Sequence, residues 1–297
     1  MNKGFTAVSV VLLTCGIASP QNLNVAWIHG SESCAASTDP AFQVHAYNDD
    51  TVILRENKCL HYEGPFIYLL FGEDKVFMQD TGAAPAPNSG MAFPVRQTVQ
   101  TVIDDWAKRH GKSTMPLLVT HSHAHGDHIG GDAQFAGQRG TTLLGTKPED
   151  VQAFFGITDW PTQQAALDLG GRVLDIIAIP GHEPASIAVY DRKSKILLTG
   201  DTVYPGRLYI RDWTAFKASV ERLAAFVKSH EVAAVMGTHI EMSTTPGVDY
   251  PVGTTWQPDE HGLALKPAHI LELHDAVVKM KDTPVREVHD DFIVSPR

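Results

Sequence analysis

Between Val119 and Gly131 the chain reads Val-Thr-His-Ser-His-Ala-His-Gly-Asp-His-Ile-Gly-Gly, which places four histidines and one aspartate within eight positions. Imidazole nitrogens and a carboxylate, with no thiolate among them, form a donor set for zinc first, and for manganese or iron as alternatives. His123 and His125, separated by one residue, can turn towards one cation, whereas Asp127 and His128 come from the next turn and face a neighbouring position. A single cation cannot easily use all four. A metal-sequestering tract would share this composition, but it would lack an apolar strand before it and spaced partners after it.

Met115, Leu117, Leu118 and Val119 supply that strand, an apolar run that ends where the histidines begin. Ligands at the carboxyl end of a strand, on the loop entering a helix, sit where open α/β sheets place their sites. Three later places share the setting. Val173 to Ile179 closes with Pro180 and Gly181 before His182; Ile196 to Leu198 leads through Thr199 and Gly200 to Asp201; Val232 to Met236 leads through Gly237 and Thr238 to His239. Each glycine lets the backbone turn sharply or approach an ion. Asp80 follows a fourth apolar run, from Lys75 to Gln79, and precedes Gly82; taken alone, it is a turn former.

At this point the chain resembles the metallo-β-lactamase-fold hydrolase superfamily. Its H-x-H-x-D-H motif is met by His123, His125, Asp127 and His128, and its later ligands match His182, Asp201 and His239 in order. The resemblance covers roughly Phe66 to Val288. It implies an α/β fold, a four-layer αββα sandwich of two mixed β-sheets with helices on the outer faces. It also implies two divalent cations, most simply Zn2+: His123, His125 and His182 on one, Asp127, His128 and His239 on the other, with Asp201 and a water or hydroxide bridging both. Asp80 becomes a carboxylate holding a ligand imidazole in its tautomer. Because only one Asp-His pair exists, the register starts at His123, and His121 is read as a strand-end residue.

Two cations sharing one water bring its pKa to about 7 and polarise a carbonyl, so the nucleophile is solvent. Consistently, the chain has no G-x-S-x-G elbow. Asp127 is the expected group to orient the hydroxide and shuttle its proton. Tyr204, three residues beyond Asp201, has the spacing at which the family's lactonases carry an oxyanion-stabilising phenol; packing against Pro205 and Gly206 is the competing role. The expected reaction is cleavage of an ester, lactone or thioester in a small-molecule substrate. β-Lactam hydrolysis is an alternative, disfavoured because the second-metal cysteine is absent and Asp201 is present. An oxidoreductase resembling the mononuclear iron persulfide dioxygenases is another.

The formal charge of -10 argues against a nucleic-acid surface and against an anionic membrane as partner. Residues 1–19, with Lys3 followed by an apolar run from Phe5 to Leu13 and then small residues, read as a secretory signal peptide, too short to span. The expectation is a periplasmic or secreted protein with a single hydrolase domain over 20–297. Lipid attachment at Cys15 is the alternative, and the only route to a stable membrane partner. Removal of the leader leaves Cys34 and Cys59, an even pair that in an oxidising compartment often forms one disulfide; it would close a loop of about 25 residues, for about 3 kcal/mol.

The rest falls into coarse elements. Val52 to Leu54, Phe66 to Phe71 and Val76 to Gln79 read as strands, and Gly82 to Pro94 as a loop. Val95, Val99, Val102, Ile103 and Trp106 mark one helical face; Phe216, Val220, Leu223, Ala224 and Val227 a second; Ile270, Leu271, Leu273, Val277 and Met280 a third. Ser186 to Tyr190 and Lys195 to Leu198 read as a hairpin. The long loop Glu241 to Leu265 carries Tyr250 and Trp256, which either pin it or line a pocket.

Overall fold

Successive residues of a strand face opposite sides of the sheet, so a strand covered on both faces must be apolar throughout. Several runs here have that character, and the computed structural model, which describes Leu23 and residues 25–297, gathers them into two sheets. The first is built from β1 (Phe42–Asn48), β2 (Thr51–Glu56), β3 (Phe66–Phe71), β4 (Val76–Gln79), β5 (Leu117–Thr120) and β6 (Thr141–Leu143), in that spatial order. Antiparallel pairing from β1 to β4 gives way to parallel pairing from β4 to β6. Parallel neighbours need a crossover. Between β4 and β5 it is made by helix α1 (Val95–Arg109).

After β5 come two short helices, α2 (Gly126–Ile129) and α3 (Asp132–Phe135), and after β6 comes α4 (Pro148–Phe155). The second sheet begins with β7 (Ala165–Asp168), β8 (Val173–Ala178), β9 (Ile187–Asp191) and β10 (Ile196–Gly200). Strand β11 (Arg207–Ile210) and helix α5 (Trp213–Ser229) then lead to β12 (Ala234–Gly237), parallel to β10. After β13 (Ala264–Leu265) and α6 (Pro267–Met280), the chain finishes with β14 (Glu287–Val288) and β15 (Ile293–Pro296). Spatial order in the second sheet is β13-β12-β10-β9-β8-β7, and β11, β15 and β14 form a small third sheet.

Alternation along the strands sorts the apolar side chains into three layers. Phe77 and Leu118 of the first sheet meet Ile176, Val189, Leu198 and Met236 of the second in a central core. Their neighbours Val76, Met78 and Val119 face α1, and Ile177, Leu197 and Val235 face α5 and α6. The four-layer αββα sandwich follows, with the three helical faces expected from the sequence turned inward. The third sheet, α4 and the first strand are not among the elements read from sequence. The expected leader, residues 1–19, and Cys15 lie outside the described residues; among those described, no helix is long and apolar enough to cross a membrane. Cys34 and Cys59 are joined, with Cα atoms 5.2 Å apart.

One charged clamp ties the two sheets together. Arg172, buried beside β8, donates to both carboxylate oxygens of Asp191 at 3.1 and 2.6 Å in the second sheet. It also reaches Asp50 O, Phe71 O (3.1 Å) and Thr51 Oγ1 (2.6 Å) on the first. Phe71 pairs with Val76, the first residue of β4, so this clamp sits at the end of the sandwich opposite the strand ends that carry the histidines. Arg172→Ala should destabilise the fold by about 3–5 kcal/mol, the usual consequence of orphaning a buried charge. Urea unfolding measures it; a midpoint within error of the parent's would show that the clamp adds nothing.

Candidate metal centre

Strands β8, β10 and β12 run in one direction, and β4 and β5 share one direction in the facing sheet, so five carboxyl ends open on one edge. Every residue singled out for metal chemistry lies just beyond one of these ends. His123 and His125 follow β5, Asp127 and His128 lie on α2, and His182, Asp201 and His239 follow β8, β10 and β12. Two glycines make the convergence possible. Gly181 has φ +140, and a Cβ there would come 2.5 Å from the Phe216 backbone; Gly200 has φ +52, and a Cβ there would come 2.8 Å from Ser122 Cβ.

The donor atoms form two groups, His123, His125 and His182, and Asp127, His128, Asp201 and His239, each with its atoms within 4.8 Å of one another. In the first, His123 Nε2 is 2.9 Å from His125 Nδ1 and 3.2 Å from His182 Nε2, and the latter two are 3.0 Å apart. In the second, Asp127 Oδ2 lies 3.1 Å from His239 Nε2 and 3.3 Å from His128 Nε2. Asp201 Oδ2 stands between the groups, 3.4 Å from His128 Nε2, 3.7 Å from His182 Nε2 and 3.8 Å from His123 Nε2. That is the placement a bridging carboxylate needs.

Whether these atoms fit a cation depends on where the protons are. Neutral imidazole carries one proton, and the nitrogen hydrogen-bonded to an acceptor must hold it. His182 Nδ1 donates to Tyr209 O at 2.7 Å, His128 Nδ1 to Asp80 Oδ2 at 3.0 Å, and His239 Nδ1 to Glu63 O at 3.3 Å. Ser122 Oγ gives its only proton to Asp80 Oδ2 at 2.9 Å, so it accepts from His123 Nδ1 at 3.1 Å. The Nε2 atoms of His123 and His182 are therefore bare and face each other without a proton between them. Desolvated lone pairs in that arrangement are unfavourable unless something positive lies among them. Tetrahedral zinc, which needs nitrogens about 3.3 Å apart, meets the requirement.

Asp80 carries the second layer on this side. It is fully buried, adopts φ +69, and accepts from Ser122 N at 2.6 Å as well as from Ser122 Oγ and His128. The positive φ of a non-glycine residue is tolerated here because those three bonds over-determine it. Ser122, Glu63 and Tyr209 are orienting partners that the sequence reading missed, and two of them act through backbone carbonyls that no side-chain pattern reveals. His121 points elsewhere: its Nε2 pairs with Asp132 Oδ1 at 2.9 Å.

Tyr204 departs from expectation. Its hydroxyl donates to Arg207 O at 2.6 Å and lies 3.1 Å from Glu241 Oε2. With its single proton held by a carbonyl, the phenol is not arranged to donate to a developing oxyanion, and packing against Gly206 and Gly237 describes its role. Trp256 bridges to Gly30, and Tyr250 accepts from Asp259 N at 2.9 Å, so both pin the long loop. Val252 of the same loop does reach the cleft above the donor cluster, a space of about 180 Å³ that is also lined by Tyr62, Tyr209, Arg211 and Arg297.

The electrostatics differ between the two groups. Burial and the neighbouring His128 push His123 well down, burial and His182 push His125 down to about 4, and burial lowers His182. Burial opposes charge on His239 too, but Asp201 and Asp127 outweigh it and raise it to about 9; Asp127, Asp201 and Asp80 raise His128 likewise. Asp127 and Asp201 are held well below the carboxylate range by the same histidines, against their own burial.

The family described as Metallo-beta-lactamase superfamily matches residues 63–229, more than half of the chain. The bovine acyl-coenzyme A thioesterase MBLAC2 is 26% identical over 207 residues, covering 58% of this chain and 72% of the relative. The hydroxyacylglutathione hydrolase of Ectopseudomonas mendocina is 32% identical over 127 residues, covering 40% of this chain and 46% of the relative, so the chain spans less than half the length of that enzyme. Among solved structures, a metallo-beta-lactamase from Pontibacter korlensis superposes with a TM-score of 0.52 at 14% identity, over 80% of this chain and 99% of that one. At such identity the likeness is one of fold.

A pH dependence of metal uptake follows from the two proton inventories. The three-histidine group is neutral at pH 7 and needs no proton expelled, whereas the carboxylate group must lose one from His239 and from His128. Between pH 9 and pH 6, affinity of the carboxylate group should fall about tenfold per unit for each proton displaced, while that of the histidine group stays level. Chelator competition at pH 6, 7 and 8 reads both; equal slopes would refute the difference.

Proposed function

The chain belongs to the metallo-β-lactamase superfamily, and on that premise we propose that it is a hydrolase dependent on two divalent cations, acting on acyl esters, thioesters or lactones. One observation carries the reading: two groups of converging donor atoms meet at a shared carboxylate, Asp201, on the floor of an open cleft. When bound, divalent cations polarise a carbonyl and lower the pKa of water to about 7. His123, His125 and His182 would hold one of them and Asp127, His128 and His239 the other, with Asp201 between; zinc suits the donors best.

The protein's own groups do the rest. Asp127 is the most exposed member of the carboxylate group and lines the cleft, and its ionised form accepts a hydrogen bond from the attacking water and so orients it beside an incoming carbonyl. Asp201 is fixed by a hydrogen bond from Thr238 Oγ1, which leaves its other oxygen towards the histidines. Two relatives whose names denote removal of an acyl group from a thiol carrier, coenzyme A and glutathione, favour thioesters within this range.

Arg211 and Arg297 enter the cleft without an ion pair among the described residues, and Arg297 stacks on the Tyr209 ring at 3.5 Å. Unpaired guanidinium groups at the mouth suit a substrate that carries an anionic group away from the scissile bond. The disulfide supports an oxidising compartment and hence export, and a small-molecule substrate with no nucleic-acid or membrane partner completes the proposal.

Asp201→Ala should abolish most turnover of zinc-loaded protein and lower its metal content below two per chain; full activity with two metals would sink the reading. Arg211→Ala should raise KM for carboxylate-bearing thioesters about tenfold, the scale of one bond to a charged group, with little change for neutral esters. Tyr204→Phe should leave kcat within about twofold of the parent, because the hydroxyl serves the fold rather than the reacting carbonyl.

A further inference from the structure

Lys58 is 2% exposed, directly before the disulfide-bonded Cys59. A buried ammonium is unfavourable, and a methionine would fill similar space without the desolvation penalty. Burial, reinforced by Arg55, pulls its pKa down to about 7. Its contacts explain what the charge does. Nζ donates to Tyr62 O at 3.0 Å and lies 3.5 Å from Glu63 O.

Those carbonyls belong to a turn folded around the lysine stem. Gly64 N closes it on His61 O at 2.9 Å, and Gly64 takes φ +49, where a Cβ would meet Lys58 Cγ at 2.8 Å. The base of the turn is rigid as well: Asn57 accepts from Cys59 N and Leu60 N at 2.8 Å each, and the disulfide ties Cys59 to Cys34. From the far side, Glu63 O accepts from His239 Nδ1 at 3.3 Å. A carbonyl oxygen has two lone pairs and can serve both donors.

We propose that Lys58 is a positioning residue for the carboxylate-rich metal group: through its ammonium it fixes the Tyr62–Glu63 carbonyls, and so holds the His239 ring with Nδ1 on the Glu63 carbonyl and Nε2 directed at Asp127 and Asp201. The inference rests on reading Asp127, His128, Asp201 and His239 as metal ligands. Lys58 touches neither ligand nor substrate, and acts only by removing the freedom of the Glu63 carbonyl.

Cobalt titration of the metal-free full chain tests it, with Lys58→Met and Lys58→Gln beside the parent. In Lys58→Met the first cobalt should bind as in the parent and the second about tenfold more weakly, the lower range for a lost orienting partner. Lys58→Gln, which keeps an N–H for the Tyr62 carbonyl, should fall between. Proton–nitrogen spectra of the metal-free proteins should show the His239 Nδ1–H, bonded to the Glu63 carbonyl, protected from solvent exchange in the parent and exchanging faster in Lys58→Met. Unchanged affinity for both cobalts, equal weakening of both, or an unchanged Nδ1–H exchange rate overturns the proposal, as does loss of the circular dichroism of both variants, which would make Lys58 a folding determinant. A parent that binds fewer than two cobalts would instead overturn the underlying metal assignment.

Discussion

Desolvated lone pairs facing one another across the seam between two sheets are the constraint from which most of this molecule follows. His123 and His182 cannot place their Nε2 atoms 3.2 Å apart, both bare, unless their other nitrogens are committed elsewhere. Ser122, itself held by Asp80, and Tyr209 supply those commitments, and Asp80 and Glu63 do the same for His128 and His239. Each commitment in turn demands a backbone that brings an acceptor into the interior: a positive φ at Asp80, a turn wound on Lys58, and a third sheet that presents the Tyr209 carbonyl beside His182. The chain has placed order into acceptors so that the Nε2 atoms of His123, His128, His182 and His239, and not their Nδ1 atoms, are the ones that face the cleft.

The two ends of the sandwich solve opposite problems. At one end Arg172 meets its carboxylate and three oxygens of the facing sheet, so that a buried charge is fully partnered. At the other, the three-histidine group sits without a positive charge among its facing nitrogens. Paired ions at the closed end hold the two sheets together away from the site, so a cluster with unsatisfied electrostatics stays compatible with a packed core.

Legibility in the sequence follows the same division. The His123 to His128 tract, the apolar runs before His182, Asp201 and His239, and the helical stripes at Val95, Phe216 and Ile270 are patterns of side-chain type, and those patterns are local. The third sheet was not legible because Glu287–Val288 and Arg207–Ile210 are too short to show alternation, and Arg207–Ile210 enters it only by pairing with Ile293–Pro296 from far along the chain. Glu63 and Tyr209 act through carbonyl oxygens, which every residue carries. Arg211 and Arg297 gain meaning only when a long-range strand pairing brings them to one cleft. The Tyr204 spacing was legible, but the direction of its hydroxyl depends on Arg207 and Glu241, which fold back on it.

That last network shows why a correctly spaced phenol need not face the chemistry. A Cβ on Gly206 would come 2.2 Å from the Tyr204 ring and one on Gly237 2.3 Å from its Cβ, so the side chain is enclosed and its rotamer has no alternative. Glu241 receives bonds from Arg207 N and Nη2 at 2.7 Å each, and Arg207 continues to Asp249 at 2.7 Å. Arg207 therefore joins the turn after Asp201 to the loop after His239, and the Tyr204 hydroxyl caps the Arg207 carbonyl within that turn. The tie between the two segments is made by the guanidinium and its carboxylates, and it holds the stretch carrying Asp201 against the one carrying His239, where Asp201 Oδ1 and His239 Nε2 lie 3.5 Å apart.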